Sequence, residues 1–206
     1  MAGILIFSET TVLALELLTA ADIIAADRSM VKAVSINDHE QAAEIAAKGV
    51  DALAISDPGL NLADTAAVAS ALRQAAGQSE AGIILLASNR KGKELAGRLA
   101  QIWDAGCLSD VKAITCENGM VLCERNVLGG AAVALQRITA DKQVIAVSPR
   151  ALPVSAGYGE GKVVKFKADI KPSLRLVETR AKAGDSVKIE EAEIILVVGQ
   201  GVENID

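Results

Sequence analysis

Ser88, Asn89, Arg90, Lys91, Gly92 and Lys93 stand together directly after the apolar run GIILLA. A hydroxyl, an amide, a glycine and three cations in one short stretch are groups suited to holding a phosphate. Backbone amides at a helix start attract anions, and nearby cations strengthen that field. A second small polar set, Ser8, Glu9, Thr10 and Thr11, follows the apolar run GILIF. In a parallel sheet both sets would lie past the carboxyl ends of strands, where such folds bind ligands. If the two strands are neighbours, the loops share one crevice. Ser8, Thr10, Ser88, Asn89 and Gly92 would then cradle the phosphates of an adenine nucleotide, AMP or ATP. The same residues also read as a plain helix start, with Ser88 or Asn89 as cap, solvated cations, and Gly97 letting the helix approach the sheet. Neither GxGxxG nor Walker spacing is present.

Other chemistry is sparse. The sequence has one histidine, His39, placed in the first turn of a predicted helix, and no GxSxG elbow or paired-carboxylate signature, so self-sufficient catalysis is not expected. Cys107, Cys116 and Cys123 lack CxxC spacing and read as buried or inert thiols in a reducing compartment, without a metal. With Asn118 and Gly119 as a two-residue turn, Cys116 faces Val121 and Cys123 lies diagonally at roughly 7 Å, too far for an easy bridge. Glu124 and Arg125 read as an interface ion pair or a routine strand pair. Gly129 and Gly130 mark a bulge or a close backbone approach. Gly199 and Gly201, after the apolar run EIILVV, are candidates for a turn that approaches a phosphate.

Composition narrows the partners. Aromatic residues make up 2% of the 206 residues and the net charge is -5. Base stacking and counterion displacement are therefore both poorly served, and nucleic acid is not an expected partner. No apolar segment reaches the roughly 20 residues of a spanning helix. No basic leader precedes MAGILIF, so no targeting signal is read and a cytoplasmic protein is expected.

The elements that must position these residues alternate. GILIF, VKAVSI, DALAIS and GIILLA read as buried strands. Helices are predicted from about Thr11 to Ala26, from Asp38 to Gly49 with Asp38 and Gln41 as a capping box, from Leu62 to Ala76 ending at Gly77, and from Ser88 to Gly106. This is an α/β fold with a doubly wound, mostly parallel sheet and helices on both faces. After Gly106 the pattern turns to short strands: an Asn118-Gly119 hairpin, then KQVIAVSP, then weaker strands at Lys162 to Phe166 and Leu174 to Arg180. An added, antiparallel second half is expected there. The run AEIILVV reads as a last buried strand.

Taken together, four stretches resemble one family. SNRKGKELAGRLA, LSDVKAI, CERNVLGGAAVALQ and QVIAVSPRALP are similar, in order and spacing, to segments of the electron transfer flavoprotein alpha subunit, and ILVVGQGVEN resembles the opening of its C-terminal flavin domain. The resemblance implies an adenine nucleotide alpha hydrolase-like domain over residues 1–190 and the start of a truncated or missing FAD-binding domain over 191–206. It implies an electron carrier component, not an enzyme, that pairs with a beta subunit and takes part in electron transfer from dehydrogenases to an acceptor. FAD is expected for the full-length family but not on this chain alone, and a homodimer is an option in isolation. The sequence departs from the family pattern at Ala131, which replaces an asparagine, at Ser148, which replaces an arginine, and around Gly199 and Gly201, where an arginine is lacking.

Overall fold

The computed structural model describes residues 3–157, 159–178, 194–199 and 201. Strand β1 (Gly3–Phe7) leads to α1 (Thr11–Ile24), β2 (Val31–Ile36) to α2 (His39–Ala46), β3 (Asp51–Ile55) to α3 (Thr65–Gln78), and β4 (Ala81–Ala87) to α4 (Arg90–Trp103). Then follow β5 (Gly106–Glu117), β6 (Met120–Val127), β7 (Ala132–Gln136), β8 (Gln143–Val147) and β9 (Val163–Lys165). They form one sheet in the order β7-β6-β5-β8-β4-β1-β2-β3-β9. The chain divides into two compact units, Met1–Arg175 and Leu176–Asp206, and the sheet belongs to the first.

Strand alternation builds the layers. In β1, Ile4 and Ile6 enter the core under α1 and α2, with Leu18 and Ile45, whereas Leu5 and Phe7 enter the core under α3 and α4, with Leu72 and Leu99. Burial on both faces explains why the strand reads as an unbroken apolar run. Ala-rich helices bring the layers close. Each fully buried Leu or Ile contributes about 1.5–3 kcal/mol relative to an exposed one.

The α/β expectation holds, with local revisions. Helix α2 starts on Asp38, whose carboxylate accepts from Gln41 N–H at 2.8 Å, but Gln41 does not complete the box. Its buried amide donates instead to Ser8 O at 3.2 Å. Helix α3 begins later than expected because Asp64 is its cap, and it runs through Gly77; the left-handed residue that follows is Glu80, with φ 51°. Helix α4 is likewise stopped by Asp104 at φ 54°, which leaves Gly106 free to begin β5.

The second half is less antiparallel than expected. Strand β8 lies inside the parallel sheet between β4 and β5, and β9 extends it beside β3. Among the described residues only the β5–β6–β7 meander is antiparallel. Strand β5 serves both patterns, pairing parallel with β8 through Gly106 to Leu108 and antiparallel with β6 from Val111 onward. Between these stretches the register shifts, and Asp110 takes φ 58°. The hairpin turn is as expected, with Asn118 at φ 51°, Gly119 at φ 78°, and Cys116 opposite Val121.

Two strand expectations are not met. Leu174–Glu178 has no strand pairing; Pro172 precedes it, and Leu174 and Val177 are exposed. In the second unit, Ile194–Gly199 forms no strand, and Ile194 and Leu196 are exposed. An apolar run becomes a buried strand only where other backbone pairs with it, and no described residue does so here. Arg180 and residues 179–193 lie outside the described residues.

Candidate functional site

Strands β1 and β4 are direct neighbours, so the loops after Phe7 and Ala87 do share a crevice. Ser8, Asn89 and Gly92 line it together with Glu9, Thr65 and Lys91. Its interior is already used. Asn89 Oδ1 accepts from Gly92 N–H at 2.8 Å and so caps α4, occupying the amide that a phosphate would need. Lys91 Nζ lies 3.0 Å from Glu9 Oε2, and the Thr65 hydroxyl donates to Glu94 Oε1 at 2.7 Å. Free space of ≈ 20 Å³ remains, room for roughly one water. As it stands, the crevice does not fit FAD or an adenine nucleotide.

Gly92 has a packing reason to be glycine. A Cβ there would sit 1.8 Å from the carbonyl oxygen of Ala87, the last residue of β4. The first turn of α4 is therefore folded directly onto the strand end. Gly97, expected to give close approach, is exposed with open space around it. The close contact is one helical turn earlier than the sequence suggests.

Ser88 and Thr10 do not line the crevice. Thr10 precedes α1 without a side-chain cap bond, and its N–H donates to Ser8 Oγ at 3.2 Å. Ser88 is buried and turns toward β5, where its Oγ accepts from Asp110 N–H at 3.0 Å and lies 3.2 Å from Asp110 Oδ1. Lys93 Nζ meets the same carboxylate at 2.7 Å. The Lys93 ammonium is the main influence holding Asp110 below the usual carboxylate range, with Ser88 and Arg125 adding to it and desolvation opposing it.

This junction joins all four stretches that carry the family resemblance. Ser88 N–H donates to Val147 O at 2.6 Å, and Ser148 N–H donates to Val111 O at 2.8 Å. Arg125 of β6 pairs with Val111 in register. The carboxyl ends of β4 and β8 thus meet the irregular point of β5, and polar groups of SNRKGK, LSDV, CERN and AVSP converge there. Sequence reasoning missed Asp110 as a partner of Ser88; the Ser-Asp-Val stretch was visible, but the bulge that aims it was not. Nearby, Arg150 N–H donates to the buried carboxylate of Glu16 at 2.8 Å, which ties the loop after β8 to α1.

The remaining candidates contribute less. Among the described residues no atom lies within 4 Å of a Cβ built at Gly199 or Gly201, so no close cradle is formed there by them. Gly129 and Gly130 occupy a turn at φ 65° and 96° with open space around them, not a close approach. Cys123 is buried, and desolvation pushes its thiol up to about 11. Cys107 is exposed, which leaves the inert alternative of the buried-or-inert reading for it, and desolvation raises its thiol. Among the described residues no cluster of His, Cys, Asp and Glu suits a metal, and no helix is long and apolar enough to cross a membrane.

A family model described as the electron transfer flavoprotein domain matches residues 8–171. Protein FixB of Escherichia coli O1:K1 / APEC is 28% identical over 212 aligned positions, covering 97% of this chain. The chain spans 65% of that relative's length. Protein FixB of Salmonella paratyphi A is 30% identical over 147 positions, 68% of this chain and 46% of that protein. The matched span runs from the first strand-end loop through β9 and contains the whole Ser88–Asp110 junction, so the chain belongs to the electron transfer flavoprotein family.

Proposed function

We propose that this chain is an alpha-type scaffold of an electron transfer flavoprotein, in which residues 1–190 pair with a beta-type subunit and help convey electrons from dehydrogenases to an acceptor. The observation that carries this reading is the Ser88–Asp110–Lys93 junction, where the four family-like stretches meet on one end of the sheet. A polar, hydrogen-bonded surface at strand ends suits docking of another polypeptide better than turnover, because the carboxylate beside the Ser88 hydroxyl is paired with Lys93 and held low, which makes it a poor base. FAD, when present in the assembly, supplies the redox chemistry; the strand-end crevice does not fit it, so the role assigned to these residues is to orient neighbouring polypeptide.

The test is co-expression with a beta-type electron transfer flavoprotein subunit, followed by light-scattering mass and flavin absorbance. The expected outcome is a heterodimer, with no stoichiometric flavin on this chain purified alone. A chain that stays unassociated, or that is yellow by itself, would overturn the reading. The adenine-nucleotide module remains a second reading because β1 and β4 do bring Ser8, Asn89 and Gly92 together. It requires the Glu9–Lys91 bridge to open, and titration with AMP and ATP decides it.

A further inference from the structure

The far edge of the sheet carries a second strand-end depression that the scaffold role does not use. Ala54 of β3 pairs in parallel register with Lys165 of β9, and Phe166 N–H extends the ladder to Ala54 O at 2.9 Å. Side chains alternate along both strands. Ala54 and Ser56 therefore share a face with Lys165 and Lys167, whereas Ile55 and Phe166 join the core beneath α3 and α4. Helix α2 packs on β3 and β9, and its first turn brings His39 Nε2 to 3.3 Å from the Ser56 hydroxyl. The small Ala54 side chain leaves the floor low. The resulting groove has a volume of ≈ 700 Å³, within the span of about 300–1,000 Å³ usual for small-molecule sites.

Its charges are available. Lys91 at the other crevice and Lys93 at the Ser88–Asp110 junction are neutralised by Glu9 and Asp110, but neither Lys165 nor Lys167 has an ion-pair partner among the described residues. Among the described residues Asp57 is the one acidic group lining the groove. Its Oδ1 is engaged by Gly59 N–H at 2.8 Å, and the neighbouring Asp38 carboxylate caps α2. Two ammonium groups and the hydrogen-bonded Ser56–His39 pair, which has one proton to offer beyond the bond between them when the imidazole nitrogen or the hydroxyl donates outward, surround one concavity and suit a tetrahedral dianion. Pro58 and the apolar floor offer contact for an organic substituent.

We propose that this groove binds a phosphate monoester, with its phosphate on Lys165, Lys167, Ser56 and His39 and its organic group against Pro58. The site is independent of the proposed scaffold role and of any flavin.

The test is an amide-resolved NMR titration of the full chain with phenyl phosphate and, separately, inorganic phosphate. Saturable shifts are expected at His39, Ser56 and residues 165–167, with phenyl phosphate binding more tightly. The K165Q/K167Q variant should weaken binding about tenfold or more, as befits loss of two charged contacts. K162Q removes a nearby charge that does not line the groove, and it should leave affinity within about twofold. Absence of saturation in the millimolar range, shifts centred on Asn89 and Gly92, equal affinity for the two probes, or equal loss in K162Q would each overturn the assignment.

Discussion

The two strand-end depressions on this sheet differ in what fills them. At β1 and β4 the chain uses its own groups: Asn89 takes the free amide of α4, Glu9 neutralises Lys91, and ≈ 20 Å³ is left. At β3 and β9 the small Ala54 and two lysines without ion-pair partners among the described residues leave ≈ 700 Å³ open. A strand end in a parallel sheet is thus a place where a site can be built, and side chains decide whether it is closed by the chain or left for a ligand. The basic stretch that looks most like a phosphate cradle in sequence is the one that is satisfied internally.

Four variants break or sharpen that contrast. The largest effect is expected from Gly92→Ala, because the new methyl meets a backbone carbonyl that cannot swing aside. Loss of about 3 kcal/mol in urea unfolding is predicted, and a variant as stable as the parent would show that α4 is not clamped to β4.

Next is Asp64, the buried cap of α3. Desolvation disfavours its charge, but hydrogen bonds from Ala67 N–H, Ser173 N–H and Oγ, and Leu174 N–H outweigh that and lower it from 3.8 to about 2. A carboxylate held lower in the folded state stabilises above the ordinary aspartate value, and that contribution fades as pH falls from about 4 toward 2. The contribution is on the order of 2 kcal/mol. Asp64→Ala should lose it at neutral pH and flatten the acid limb of a stability curve measured between those values. An unchanged acid limb would remove Asp64 from the account.

Gly97→Ala acts in the opposite direction. The position is exposed within α4 with open space around it, so a gain of about 0.5–1 kcal/mol is predicted in the same unfolding assay. Loss of stability would mean that Gly97 packs against something after all. The smallest effect belongs to Glu9→Gln. Its ion pair with Lys91 is partly exposed, and a change under about 0.5 kcal/mol is expected. If this variant binds AMP more tightly than the parent, the crevice is closed by that bridge; if the two bind alike, packing sets its size.

What the sequence reveals follows the range of the forces. The caps at Asp38 and Asn89 and the turn at Asn118-Gly119 were legible because each is settled by neighbouring residues. The adjacency of β1 and β4 entered only as a condition, one that the fold class allows and the sheet order meets. The placement of β8 between β4 and β5 did not, since a short apolar strand carries no mark of its distant partners. The direction of Ser88 was equally hidden, because it depends on a register shift in β5 that positions Asp110. His39 was noticed only as a poor metal ligand; its proximity to Ser56 requires α2 and β3 to be packed first.

Gln41 adds one more consequence. It sits in the same first turn as His39, yet its amide is anchored to the carbonyl of Ser8. The rim of the open groove and the lip of the filled crevice are therefore mechanically joined through a single buried side chain. One hydrogen bond from the first turn of α2 thus spans from the open groove at the sheet edge to the strand end of β1 near its middle.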